Sequence, residues 1–168
     1  MAVDANGDNE SDGGHRSFEL FFVAFEPVVR RVLVAGFGPE IGRDAAAEAF
    51  GWAWKTWPRA SGLDNRAGYL YRVGANAAKS RLQADARVHP GWFEPASVEL
   101  GRSIEPGLDA ALASLSRRQF QVVVLVEGHG YSHAETAAFL GIARSSVQNH
   151  LERAMAKLRE VLGVSHEA

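Results

Sequence analysis

From Phe18 onward, large apolar side chains recur at steps of three and four: Phe18, Phe21, Phe22, Phe25, Val28, Val29, Val32 and Leu33. That spacing gathers them on one face of an α-helix, so a chain that opens this way must find another surface against which to bury a helix face. The first helix is expected to end near Gly36 and Gly38. A second is expected to start around Asp44 and stop at Pro58, with Phe50, Trp54 and Trp57 facing one core. After a turn at residues 61–65, Tyr69, Leu70, Val73, Ala77 and Leu82 carry a third helix to about Arg87. Three helices thus close a first domain, residues 16–88.

Residues 89–107 break the pattern with Pro90, Gly91, Pro95, Gly101, Pro106 and Gly107, and are expected to form a flexible linker in which Trp92 and Phe93 offer aromatic anchors. Helical spacing resumes at Leu108, Leu112 and Leu115, then at Phe120, Val123, Val124 and Val126, in a second domain, residues 108–168. The valine run could also be a buried strand, but no neighbouring segment offers a partner strand, so helix is the reading adopted. The expected fold class is all-α: two small helical domains joined by a linker.

Hydrophobic residues at 46% and charged residues at 23% are ordinary for a globular chain. The absence of cysteine excludes disulfides, thiolate metal sites and a catalytic thiol. No segment approaches the roughly 18 apolar residues of a membrane span, and no basic residue precedes an apolar run at the N-terminus, so a cytoplasmic protein is expected. Net charge is −2, unevenly distributed. Residues 1–15 form an acidic tail with Asp4, Asp8, Glu10 and Asp12 and no Lys or Arg, and its first 14 residues are expected to be disordered. Residues 16–90 hold 11 basic against 7 acidic side chains, and residues 109–168 balance at 6 each. The basic excess therefore lies in the first domain.

The most informative stretch is 132–158. Ser132 with Glu135 makes a capping-box pattern ahead of Ala137, Ala138 and Leu140. Gly141-Ile142-Ala143 supplies a tight turn, and a second helix opens at Arg144. Ile142 plugs the angle while Val147 and Leu151 face inward, which is the pattern of a helix-turn-helix. Its outward residues Arg144, Ser145, Ser146, Gln148 and Asn149 can all hydrogen-bond base edges or phosphates. A plain structural hairpin shares the helix pair, but not the polar start of the second helix.

Residues 115–162, LSRRQFQVVVLVEGHGYSHAETAAFLGIARSSVQNHLERAMAKLREVL, resemble the promoter −35 domain of extracytoplasmic-function (ECF) sigma factors. Three earlier segments, FELFFVAFEPVVRRVLVAGFG, RDAAAEAFGWAWKTW and NRAGYLYRVGANAAKSRL, resemble successive helices of that family's first domain, so the likeness covers about 120 residues in the family's order. It implies a factor that binds core RNA polymerase and directs it to promoter DNA, with no catalytic residue, cofactor or metal. An anti-sigma partner is also implied. Asp44, Glu48, Phe50 and Trp54 are the implied polymerase-binding residues. Asn65, Arg66, Tyr69, Arg72, Asn76 and Lys79 are those implied for the opened −10 strand, where basic groups with Tyr69 and Tyr71 suit single-stranded DNA. Arg144, Ser145, Ser146, Gln148 and Asn149 would meet the −35 element, with Arg117, Arg118, Arg153 and Lys157 on its backbone.

The chain departs from the family at several places. Ala47 replaces a glutamine, Ser80 an aspartate and Thr136 a core isoleucine, while Gln148 and His150 stand where Lys and Arg are customary. The usual arginine run after Leu82 is reduced to Gln83-Ala84-Asp85-Ala86-Arg87. The alternative reading is a stand-alone helix-turn-helix regulator derived from a sigma factor, which leaves the first domain without a role. A metal site on His129, His133 and Glu135 is disfavoured, because Ser132 caps the helix and leaves His129 in the preceding loop.

Overall fold

The computed structural model describes residues 7–88 and 107–163, in which every regular element is helical. The first half comprises α1 (Gly7–Phe37), α2 (Pro39–Lys55), α3 (Trp57–Ala60) and α4 (Arg66–Val88). The second comprises α5 (Leu108–Ala113), α6 (Arg117–Val123), a π-helical turn (Val124–Gly128), α7 (His133–Leu140) and α8 (Arg144–Leu162). The expected linker, with Trp92 and Phe93, lies outside the described residues except for Gly107, which opens α5 at φ 94°.

The apolar face of α1 is the spine of the first half, with Val29, Val32 and Leu33 all at 0% exposure. Gly38 turns the chain at φ 86°, a backbone region open to glycine, and Pro39 begins α2 at a position where a missing N–H costs nothing. Helix α2 therefore starts five residues earlier than Asp44. At Gly42 a Cβ would lie 2.5 Å from Cα of Val34, so α1 and α2 meet backbone to backbone.

Two expectations are corrected here. Residues 7–14 belong to α1, although composition predicted disorder through residue 14; residues 1–6 of that expected tail lie outside the described residues. The ring of His15 stacks on Trp54 at 4.9 Å and Phe18 is buried beneath it, and extending a helix from an anchored turn is far easier than nucleating one. Trp54 is not a core residue beside Phe50 and Trp57. Helix α2 stops at Lys55 and Thr56 leaves helical geometry (φ −118°), so Trp57 swings into the core from the next turn. Trp54 stays 46% exposed at the edge, edge-on to Phe18.

In the second half the valine run is helical. Its start is fixed by a capping box between Ser116 and Gln119, and its end is the π turn, which carries Leu125 into the core. The box at Ser132 and Glu135 forms as its spacing predicted, and Gly141 closes α7 at φ 67°. The halves do not stand apart. Val122, Leu125, Phe139, Leu140 and Val147 belong to the same buried cluster as Leu33, Phe50 and Leu70.

Thr136, on the core side of α7, is fully buried and its Oγ1 has no partner. Thr136→Val keeps the shape and removes the stranded hydroxyl, so unfolding free energy is expected to rise by about 1 kcal/mol. That corresponds to a thermal midpoint higher by about 2–4 °C. A lower midpoint would show that the hydroxyl is satisfied.

Candidate nucleic-acid interface

Helices α7 and α8 form the helix-turn-helix. Val147 of α8 is at 0% exposure and Leu151 packs against the core from its rim, whereas Arg144, Ser145, Gln148 and Asn149 are exposed. Ser146 is half-buried, at the margin of the outward face. The amide Nδ2/Nε2 chemistry of Asn149 and Gln148 suits adenine edges, although Gln148 Nε2 donates at 2.9 Å to Oε1 of Glu152 one turn on. Arg153 is exposed. Lys157 Nζ donates to the backbone oxygen of Ser114, which ties α8 to the end of α5.

Arg117 and Arg118 lie on the side of α6 that meets the first half. The Arg117 guanidinium sits 4.8 Å above the Phe37 ring. Arg118 Nη1 donates to Oε1 of Gln121 at 3.1 Å and reaches the Tyr71 hydroxyl at 3.5 Å. Both arginines thus reach toward the first half, Arg117 remaining exposed and Arg118 lying near enough to α8 to act on His150.

On α4, Tyr69, Arg72, Asn76 and Lys79 fall at steps of three and four and make one stripe, with Asn65 just ahead of it. Arg72, Asn76 and Lys79 are exposed. Tyr69 is half-buried between Trp52, at 5.3 Å, and the Arg72 guanidinium, at 5.8 Å. Arg66 is exposed with its guanidinium 5.8 Å from the Phe21 ring. Asn65 accepts from the N–H of Gly68 and donates to the Ala138 carbonyl of α7, both at 2.9 Å. Tyr71 is not on the stripe but 96% buried, its ring 5.4 Å from Phe139.

Of the implied polymerase-binding residues, Asp44 and Glu48 share an exposed face of α2. One arginine holds both: Arg81 Nη1 lies 2.9 Å from Asp44 Oδ2 and Nη2 lies 3.1 Å from Glu48 Oε2. Phe50 is only 4% exposed, ringed by Phe21 and Phe22, because two residues beyond Glu48 lies about 200° around the helix. It supports the surface from beneath. Trp54 is accessible, on the side of α2 nearer α1. Arg81 had no local sequence signal, since its partners lie 37 and 33 residues away. The Ser116 box was legible as Ser-x-x-Gln.

Two histidines carry the pH response of this region. Burial, with Arg31 adding to it, holds His129 below the ordinary imidazole value of 6.5, and burial followed by Arg118 and Arg153 does the same for His150. A lowered folded pKa means the folded chain prefers the neutral ring. The associated stability is fully present above pH 6.5 and is lost as pH falls below it. Glu135 is lowered chiefly by its hydrogen bonds with Ser132, so its contribution disappears only further down, from its ordinary 4.5. The thermal midpoint is therefore expected to fall between about pH 7 and about pH 5, and to flatten there in a His129→Gln, His150→Gln variant. An equally steep fall in that variant would assign the dependence elsewhere.

Residues 107–158, which contain the helix-turn-helix, match the family model described as Sigma-70, region 4. A curated relative, the ECF RNA polymerase sigma factor SigM of Mycobacterium tuberculosis strain H37Rv, is 35% identical over 103 residues, covering 56% of this chain and 50% of that protein. The SigM of the Erdman strain matches to the same extent. The matched region thus spans about half the length of these curated relatives. Among solved structures, the sigma factor RpoE, determined with the anti-sigma factor NepR from Bartonella quintana, shares the fold at TM-score 0.70 and 20% identity. That match covers 90% of this chain and 99% of RpoE. CnrH, determined with the cytosolic domain of CnrY, shares it at TM-score 0.58 and 21% identity, over 94% of this chain and 95% of CnrH. The chain is thus similar in sequence to the ECF RNA polymerase sigma factor SigM over about half its length, and shares its helical fold with RpoE and CnrH. No described helix is long and apolar enough to cross a membrane.

Proposed function

We propose that this chain is a sigma factor: its first half binds core RNA polymerase, its α4 stripe takes the opened −10 strand, and α8 reads the −35 element. The observation that carries the reading is the helix-turn-helix in the segment matching Sigma-70, region 4: its second helix buries Val147 and turns Arg144, Ser145, Gln148 and Asn149 outward at its N-terminal end. The exposed Arg72, Asn76 and Lys79 beside Tyr69 supply the charge and stacking that a single strand needs. The carboxylates Asp44 and Glu48 suit a basic helical partner. Such a factor acts by binding, without a catalytic group or cofactor of its own, and an anti-sigma protein would restrain it by covering the same surfaces.

Run-off transcription with purified core enzyme and a genomic promoter library tests the proposal, with factor-dependent transcripts as the expected result. Retention of promoter binding without any capture of polymerase would favour a stand-alone regulator. Within the −35 reading, a good bidentate base contact is worth about 1–3 kcal/mol. Gln148→Ala with Asn149→Ala is therefore expected to cut discrimination roughly fivefold to 150-fold at each position read. Unchanged selection from a randomised −35 library would place base reading elsewhere on α8.

A further inference from the structure

Where the N-terminal turns of α1 pass the start of α4, an open groove of about 490 Å³ is lined by Arg16, Ser17, Leu20, Ala24 and Phe25 of α1 and by Arg66 of α4. Leu20 is 68% exposed, Arg16, Ser17, Ala24 and Arg66 are exposed, and Phe25 is half-buried. The Arg66 guanidinium stands 5.8 Å from the ring of Phe21, which also lines the groove and is itself anchored in the core at 4% exposure. Among the described residues that line the groove, none is acidic. A lone exposed leucine needs no explanation. Here it shares a recess with two phenylalanines and with arginines from two different helices.

We infer that this groove is a binding site for one nucleotide of single-stranded DNA, its base laid on Leu20, Ala24 and Phe25 and its phosphate held by Arg16 and Arg66. The site stands on the groove itself; that its nucleotide adjoins those held by the α4 stripe rests on the reading of α4 given under Proposed function.

A nucleotide joins a flat apolar base to an anionic phosphate, and the groove joins an apolar floor to two guanidinium groups, whose planar forks match phosphate oxygens. Its volume lies within the range of about 300–1,000 Å³ usual for small-ligand sites. Because α1 residues 16, 17, 20 and 24 share one stripe of a helix already packed through Phe21, little ordering is needed before a ligand binds. Position favours the same occupant. Arg66 directly follows Asn65, where the stripe of Tyr69, Arg72, Asn76 and Lys79 begins, so a strand lying along α4 reaches the groove without a break. Two other occupants fit less well. An acidic peptide satisfies the arginines but brings no flat face to the floor, and residues 1–6 of this chain carry a single carboxylate, Asp4, for two arginines.

Cross-linking to the full chain tests the site. Fluorescein-labelled single strands of about 12 nucleotides, each with one 5-iododeoxyuridine at a successive position, are irradiated with the protein, which is then digested with trypsin. The expected result is attachment to the peptide Ser17–Arg30 of α1, from a position within about two nucleotides of the one that attaches to Ala67–Arg72 of α4. Arg16→Ala should make the slope of log affinity against log salt shallower by about 0.7, the value for one phosphate of a single strand. Arg159→Ala, in the last turn of α8, should leave that slope unchanged. Ala24→Glu places a carboxylate in the groove at an exposed helical position and should weaken binding at least about tenfold, with the helical circular dichroism retained. Attachment to the α4 peptide alone, or a wild-type salt slope in Arg16→Ala, overturns the site and leaves the reading of α4 standing. Attachment to the α1 peptide alone keeps the site and removes that reading, and attachment to neither overturns both. Tighter oligonucleotide binding after deletion of residues 1–6, without attachment to α1, would give the groove to the N-terminal segment. Binding of octaglutamate as tight as that of the strand would give it to an acidic protein partner, and either result overturns the nucleotide site.

Discussion

Replacing Asp44 and Glu48 together by lysine is expected to abolish retention of core RNA polymerase, weakening the complex more than a hundredfold. The two carboxylates lie one turn apart on α2, exposed, with Arg81 bridging them from α4. Arg81 balances one of the two negative charges and holds both side chains in place, so the face presented to a partner is preordered and retains a net negative charge. The double reversal changes the local charge by four units and sets three cations side by side. Like charges brought together at an interface cost several kcal/mol, which is enough for the stated loss. The fold should survive, because solvent-exposed ion pairs contribute about 0–1 kcal/mol each and the core below rests on Ala45, Ala49 and Phe50. Co-purification with core enzyme measures the first effect and circular dichroism the second. Undiminished capture by the folded double variant would remove α2 from the polymerase interface.

The largest effect on stability is expected at Leu33. Its side chain is fully buried at the junction of α1, α2 and α4, and Gly74 approaches so closely that a Cβ there would stand 2.6 Å from Leu33 Cδ1. The neighbours are backbone and small residues: Gly42, Gly74 and Ala45, the last at 0% exposure. Backbones already in contact cannot move in to fill a void, which places Leu33→Ala at the upper end of the range for such truncations, about 4–5 kcal/mol. Against a total of about 5–15 kcal/mol for a domain, that brings the chain close to unfolding at ordinary temperature. Val161→Ala, at a site 45% exposed, is the matched comparison and should change stability by about 0.5 kcal/mol or less. Denaturant titration of the two variants reads the difference. A loss below about 2 kcal/mol at Leu33 would mean that the junction can collapse after all.

Much of this molecule was legible along the chain, for a physical reason. Helix faces, capping boxes and the Gly141 turn depend on residues within four positions of one another, so Ser132 with Glu135, the apolar face of α1 and the outward set Arg144, Ser145, Gln148 and Asn149 could all be placed from spacing alone. What spacing could not decide is which surfaces meet. Phe50 and Trp54 follow the same period, yet α2 ends at Lys55, which leaves one at 4% and the other at 46% exposure. Asp44 and Glu48 were recognisable as a carboxylate pair, but their common partner Arg81 is more than thirty residues away. Arg117, Arg118 and Tyr71, each a reasonable DNA ligand by residue type, are engaged with the other half of the chain. The difference is one of range. Helical periodicity is set by backbone geometry that every residue carries with it, whereas the engagement of Gln121 depends on the absence of a Cβ at Gly36, 85 positions earlier in the chain and adjacent only once the protein has folded.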